Sequence, residues 1–313
     1  MLRIGIDLGG TNIAVGAVDE LGNLLCKKSV PTRAGRPAEQ IVADMAQTVQ
    51  DLLREHAISL DAVCSVGVGS PGSVDSARGM VLSAGNLHFQ NVALAELLGA
   101  YIAKPIHIEN DANCALWAEA KVGAARDAKS ALMVTIGTGI GGAIVLNGSL
   151  YGGFNGFGGE FGMMVIGEER GVLTNFENYS SATALIRQTE QAAKDNKDSL
   201  LWQCAEREGK FSGRTAFDAA RLGDEVARAV VDRYIDKLAL GVSNLIHLFQ
   251  PEYILIGGGV SHEGDALFVP LGEKIEHLAY DYPIEREKMT KIMAAALGND
   301  AGIVGAALLG KEE

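Results

Sequence analysis

The chain has 313 residues, enough for two domains with cores of their own. Its hydrophobic content of 48% and mean hydropathy of +0.14 describe a folded chain, and no apolar run approaches the roughly 18 residues of a membrane span. A formal net charge of −12 opposes binding to nucleic acid or to an anionic membrane.

Cys26, Cys64, Cys114 and Cys204 are scattered without disulfide or metal-type spacing, which suits free thiols in a reducing cytoplasm. The N-terminus enters a strand pattern at once, with no signal-peptide architecture, so a cytoplasmic location is expected.

The first element is Ile4-Gly5-Ile6-Asp7-Leu8, then the turn Gly9-Gly10-Thr11-Asn12, then Ile13 to Val18. Apolar residues alternate on both sides of the polar turn, the pattern of two strands joined as a hairpin. Glycines without a Cβ let successive N–H groups converge on an anion, so the turn suits a phosphate. Asp7 closes the first strand beside it, where a carboxylate makes sense with a hydrated Mg2+ between. An ordinary glycine-rich hairpin explains the same residues.

Residues 37–57 read as a helix with Ile41, Met45, Val49, Leu52 and Leu53 on one face and Pro37 in its first turn. Residues 62–68 are a buried strand running into Gly69-Ser70-Pro71-Gly72, where ligands of α/β proteins collect, although a plain turn fits as well. Residues 83–87, which include Asn86, read as a polar loop, 92–102 as a helix and 105–109 as a strand. Asn110-Asp111 follows, and one of the two residues would cap a helix continuing past Trp117 and Glu119.

The opening pattern then recurs. Residues 131–136 are an apolar strand, Gly137-Thr138-Gly139-Ile140-Gly141-Gly142 a second glycine turn with a threonine, and 143–146 a strand again. Two like modules could grip one polyphosphate. The second turn matches G-x-G-x-x-G, but that fingerprint needs a helix after the glycines and a strand follows, so a dinucleotide site is rejected. Arg3 is the only basic residue before Lys27, and none lies between Lys129 and Arg170. A nucleotide here must therefore be neutralised mainly by backbone N–H groups and metal. No G-x-x-x-x-G-K-[ST] occurs, so the chain is not a P-loop protein.

Residues 151–162 are glycine-rich around Glu160, and helical patterns resume near Ser181. A long helix starts at Asp224, with Val226, Val230, Tyr234, Leu238, Val242, Leu245 and Phe249 as its stripe, and Pro251 ends it. A buried strand at 253–256 runs into Gly257-Gly258-Gly259, where backbone can lie against a flat ligand. A strand at 291–297 and a small-residue helix at 301–309 close the chain.

Together these motifs resemble the ROK sugar kinases of the actin-like ATPase superfamily, most of all bacterial glucokinases, along essentially the whole chain. Residues 7–12 resemble the first phosphate motif, 137–142 the second, 257–259 the adenosine motif, and Asn299-Asp300-Ala301-Gly302 the closing helix. Residues 69–72, Asn86 and Asn110-Asp111 resemble the sugar-side motifs.

The resemblance implies two actin-like (ribonuclease H-like) α/β domains around a central cleft, spanning 1–114 plus 299–313 and 115–298. It implies ATP at Asp7, Gly9, Gly10, Thr11, Asn12, Gly137, Thr138, Gly139, Gly257, Gly258 and Gly259, with Mg2+ near Asp7. Asp111 becomes the catalytic base, and Ser70, Pro71, Gly72, Asn86, Asn110, Glu160 and Glu177 line the sugar. The implied reaction is transfer of the ATP γ-phosphate to a hexose hydroxyl, first the 6-hydroxyl of glucose. N-acetylmannosamine, allose, fructose or mannose are the alternatives, as is a sugar sensor without catalysis. A sugar-responsive repressor of the same family would carry a helix-turn-helix ahead of the strand that begins at Ile4. A homodimer or higher homo-oligomer is expected, with no nucleic acid or membrane partner.

One departure is large. The family carries Glu-x-Gly-His and then a cysteine-rich run that binds zinc with that histidine. Here the first part reads Glu160-Phe161-Gly162-Met163, and residues 167–177 contain no cysteine or histidine. Structural zinc needs about four N or S ligands, so no zinc site is expected. The lost histidine also faces the sugar near its anomeric end, which bears on which hexose is taken.

Overall fold

The computed structural model describes residues 1–169, 171–280 and 284–311. Arg170, within the segment that departs from the zinc run, lies outside them. By contact the chain parts into two compact units, one of residues 1–129, 143–159 and 296 onward, the other of 130–142 and 160–295.

In the first unit, β1 (Leu2–Leu8) and β2 (Asn12–Val18) form the expected antiparallel hairpin, paired from Arg3↔Val18 to Leu8↔Ile13. Alternation buries Ile4, Ile6, Leu8, Ile13, Val15 and Ala17 completely on one face. β3 (Leu24–Pro31) adds an antiparallel edge to β2. Its Lys27-Lys28-Ser29 centre hides the alternation, and only the structure discloses it. α1 (Ala38–Glu55) has all five expected core residues buried, with Pro37 just ahead of its first residue.

β4 (Val63–Ser70) runs parallel to β1. β5 (Ser73–Asp75), β6 (Met80–Ala84) and β7 (Phe89–Val92) make a small antiparallel sheet. The expected loop at 83–87 is therefore shorter, because Ser83 and Ala84 pair with Gln90 and Phe89. The expected helix at 92–102 shrinks to α2 (Leu94–Gly99), since Val92 is drawn into β7 opposite Val81. β8 (Ile106–Asn110) lies parallel to β4 and leads directly into α3 (Asp111–Val122). The expected boundary at 114/115 falls inside α3, whose Trp117 and Glu119 side chains bond to Leu308 O and Leu297 N of the same unit.

β9 (Ala131–Ile136), β10 (Ile140–Leu146) and β11 (Ser149–Leu150) carry the second copy. β12 (Val165–Glu169) and β13 (Val172–Asn175) form a hairpin where the family's zinc run would lie. Helices α4 (Phe176–Ser180), α5 (Ala182–Asp195), α6 (Leu201–Glu208) and α7 (Thr215–Arg221) follow. α8 (Glu225–Phe249) is capped by Asp224 and buries Val230, Tyr234, Leu238, Val242 and Leu245, while Val226 and Phe249 stay half-buried. β14 (Tyr253–Gly257), α9 (Asp265–Ala279), β15 (Lys291–Ala294) and α10 (Ala301–Leu308) complete the fold. β15 stops short of Leu297, whose amide goes to Glu119 at 2.8 Å.

The repeat seen in the sequence is a repeat of topology. One sheet has the order β3-β2-β1-β4-β8 and the other β11-β10-β9-β14-β15. The contact division cuts β10 after Gly142. Among the described residues no helix is long and apolar enough to cross a membrane.

A row of glycines seats α10 in the first unit. Gly5 pairs with Gly16 in β2 and with Gly67 in β4. A methyl group on Gly5 would lie 1.8 Å from Ile303 O, and one on Gly67 1.8 Å from Ala306 O. Backbone therefore rests on backbone there. This close approach fixes α10 against the sheet face that also carries Asp7.

Candidate active site

In the first unit the site grows from the β1–β2 turn. Gly9 N donates to Asn12 O at 2.9 Å, and Thr32, fully buried, holds the turn from outside through its N–H to Thr11 O at 2.8 Å and its hydroxyl to Gly9 O at 2.6 Å. Thr11 and Asn12 are exposed at the tip. A methyl group on Gly10 would lie 3.0 Å from Asn86 Nδ2, so the first glycine turn and the exposed Asn86 meet directly.

Asp7 ends β1 opposite Gly69 of β4, and Asp111 opens α3 at the end of neighbouring β8. Gly302 of α10 packs on the Asp7 carboxyl, where a methyl group would be 2.9 Å from Oδ2. Burial, and second the like charge of Asp111, push the Asp7 carboxyl up to about 6. Burial also raises Asp111, against the lowering effect of the Ala112 N–H that donates to its Oδ1 at 2.8 Å. Two half-buried carboxyls, the charge of Asp111 opposing the ionisation of Asp7, fit a divalent cation, which would favour both charged forms. Mg2+, which takes one or two carboxylates and keeps several waters, suits this donor set.

Asn110 ties the 70–72 loop to α3. Its Oδ1 accepts from Ala112 N at 2.9 Å and Asn113 N at 3.2 Å, the expected cap, and its Nδ2 donates to Gly72 O at 2.9 Å. Gly72 has φ +84°, and a methyl group there would meet Ser83 O at 2.1 Å. Ser70 and Pro71 are buried beneath, Ser70 in register with Asn110. The Glu109 carboxylate accepts from Ser76 Oγ, Asn110 N and Asn113 Nδ2 at 2.7, 2.7 and 2.9 Å. Ser73 Oγ and Asn113 Oδ1 are buried without a protein partner. Neither Glu109 nor these two orphan atoms carries a motif-level signal, so sequence reasoning passed over them.

In the second unit, a strand follows the glycine turn, as the rejection of a dinucleotide site requires. Gly137 N donates to Gly139 O at 2.9 Å, and Ala182 N, opening α5, donates to Gly137 O at 2.9 Å. Thr138 is exposed at the tip. Glu177 of α4 accepts from Ile140 N at 2.9 Å. Gly257 stands in register with Thr135, and Gly258, at φ +91°, would place a methyl group 2.1 Å from Ile136 O. The second glycine turn and Gly257-Gly258-Gly259 therefore share the carboxyl ends of two adjacent parallel strands. Glu160 is exposed ahead of the single turn Phe161–Met163. Gly162 of that turn packs on Ile140 O, and Met163 is 56% exposed, its sulfur 3.8 Å from Asn175 Nδ2. Among the described residues no three His, Cys, Asp or Glu side chains gather as a metal-binding group.

A pocket of about 690 Å3 opens beside the first turn, lined by Asp7, residues 9–12, Ala14 and the start of α10. β3 brings Lys27, Lys28 and Ser29 into its lining, so basic residues stand where a purely backbone-and-metal phosphate site was expected.

The ROK family model matches residues 3–313. This chain belongs to the ROK family. The glucokinase of Thermotoga maritima is 37% identical, aligned over 99% of this chain and 97% of its own. The structure of a ROK family glucokinase from Streptomyces griseus, in complex with glucose and AMPPNP, is 31% identical with a TM-score of 0.81, covering 100% of both chains. That of the ROK hexokinase from Thermus thermophilus is 29% identical with a TM-score of 0.80, over 98% of this chain and 97% of that one. The actin-like α/β fold expected from the motifs is the fold of these neighbours.

Proposed function

We propose that the chain is an ATP-dependent hexose kinase that transfers the γ-phosphoryl group of ATP to the 6-hydroxyl of glucose. The observation that carries this reading is the pair Asp7 and Asp111, both raised in pKa, beside a glycine turn that leaves backbone exposed. The names of its relatives, glucokinases and a hexokinase, support the same reaction class.

Phosphoryl transfer is mostly positioning and charge stabilisation. Residues 9–12 and 137–139 would hold the phosphates through backbone N–H groups, and 257–259 would lie against the adenosine. Asn86, Asn110, Glu160, Glu177 and the 70–72 loop would take sugar hydroxyls. Amides and carboxylates suit this task because each bonds two hydroxyls in fixed geometry. Asp111 would accept the hydroxyl proton as the new O–P bond forms and the bond from γ-phosphorus to the β–γ bridging oxygen breaks, releasing ADP. An aspartate is a weak base for a free alcohol, so the proton moves late, once the forming bond has acidified the oxygen. Mg2+ held at Asp7 would supply neutralising charge to the phosphates. Zinc has no part in this site. The proposal places the enzyme in the cytoplasm as a homo-oligomer.

A coupled ATP-consumption assay with glucose, mannose, fructose, allose and N-acetylmannosamine tests the reading. Glucose is expected to give the highest kcat/KM. Preference for another member of the panel would reassign the substrate, and no consumption with any would favour a sugar sensor.

A further inference from the structure

We propose that Lys27 is a ligand of the donor phosphates and that Asp300 holds it in reserve while the site is empty. The inference deepens the kinase reading and rests on it for the identity of the donor. Lys27 Nζ lies 2.7 Å from Asp300 Oδ1, and both side chains line the pocket of about 690 Å3 that contains Asp7 and the first glycine turn.

Lys27, Lys28 and Ser29 all line this pocket, and strand register sets Lys27 on the sheet face of Asp7. Asp7 pairs with Ala14 and Ala14 with Ser29, while Gly5 pairs with Gly16 and Gly16 with Lys27. Directly paired residues share a sheet face, so Lys27 stands on the face of Asp7, one step along β3. Ala14 offers only a methyl group between them, which leaves the notch open. Lys28 points to the opposite face and pairs with Glu55 of α1.

The ion pair is built to exchange. Its side chains are 57% and 38% exposed, where such pairs contribute little, and a polyphosphate carries more charge than the carboxylate it would displace. Asp300 directly precedes α10, so once released it remains favoured by the positive end of that helix. The chain otherwise presents a net charge of −12 to an anionic nucleotide. Lys27 supplies locally the positive charge that the glycine turn lacks.

The test is calorimetric titration of the full-length protein with AMPPNP and, separately, adenosine, both in Mg2+. Lys27→Met should weaken AMPPNP about tenfold, the worth of one charge-assisted bond at a partly exposed site, and leave adenosine unchanged. Lys27→Arg should restore most of the loss. Asp300→Asn should tighten AMPPNP by about threefold, because the competing carboxylate is gone. Lys28→Met, which removes an ammonium already paired with Glu55 of α1, should weaken AMPPNP less than Lys27→Met and leave adenosine unchanged. The proposal is overturned if Lys27→Met and Asp300→Asn both leave AMPPNP affinity at the wild-type value. It is equally overturned if Lys27→Met weakens adenosine as much as AMPPNP, which would mean general damage to the fold. If wild type fails to bind AMPPNP, this assignment and the nucleotide reading fall together. If the shifts appear but no hexose is phosphorylated, the kinase reading alone is lost.

Discussion

The carboxylate of Glu177 accepts the backbone N–H of Ile140 at 2.9 Å, inside the second glycine turn. The space a side chain on Gly139 would take is filled by that same carboxylate, with Oε2 2.1 Å from where a methyl group would sit. The resemblance marked Glu177 for the sugar, yet one of its oxygens already holds the second glycine turn in shape. Any sugar bond from Glu177 would use the other oxygen and would tie the two halves of the reaction through one residue.

Replacing Glu177 separates these roles. Glu177→Gln keeps an acceptor for Ile140, so amide hydrogen exchange at Ile140 should match wild type. Glu177→Ala leaves that N–H unpaired, and its exchange should quicken about tenfold, the worth of one hydrogen bond to a charged group. AMPPNP affinity should fall in the alanine variant and hold in the glutamine variant. Unchanged exchange in Glu177→Ala would mean the turn does not need this contact.

Asp7 makes the empty protein sensitive to pH in an unusual direction. Its folded pKa of about 6 lies above the ordinary 3.8, so between those values the folded state binds more protons than the unfolded state. Stability from this group is therefore full below about 3.8, declines as pH rises through about 6, and is flat beyond. Asp7→Asn should stabilise the metal-free protein by about 1–3 kcal/mol at pH 8 and by nothing at pH 4. Urea unfolding across this range checks it. A variant less stable than wild type at pH 8 would show that Asp7 has partners that outweigh its burial.

Met163 stands where the family places a histidine, and its thioether is a weak acceptor and no donor. The side chain is 56% exposed, with its sulfur 3.8 Å from Asn175 Nδ2, so it is not simply core packing. Wild type should discriminate poorly at C2 among glucose, mannose, 2-deoxyglucose and N-acetylated analogues. Met163→His should sharpen that choice several-fold, as one regained hydrogen bond of about 0.5–1.5 kcal/mol allows. Sharp discrimination in wild type together with no change in the histidine variant would remove Met163 from specificity.

What the sequence disclosed was whatever repeats or punctuates. The two glycine turns and the long stripe of α8 were legible because apolar period and turn residues agree there. β3 was not, since Lys27-Lys28-Ser29 breaks the alternation of an edge strand, and with it went the basic residues that line the pocket beside the first glycine turn. Glycine within the strands was legible in place but not in purpose. Gly5, Gly16 and Gly67 lie within strands, where they make room for α10, and a single sequence does not say which helix will arrive. Asn110 was read first as a cap and then, by resemblance, as a sugar ligand. Its carbonyl caps α3 while its amide holds Gly72, which leaves one N–H for a ligand.

Asp111 carries the central claim. Burial raises its pKa, and it stands at the start of α3 with Oδ1 bonded to Ala112 N. Asp111→Asn preserves shape and that acceptor but cannot take a proton. Steady-state phosphorylation of glucose by wild type and Asp111→Asn, with glucose affinity measured calorimetrically on the same preparations, is the direct measurement. kcat should fall about 10²–10⁴-fold, the usual loss on removing a positioned base, while glucose affinity stays within a few-fold. Turnover by Asp111→Asn within a few-fold of wild type would contradict its assignment as the base.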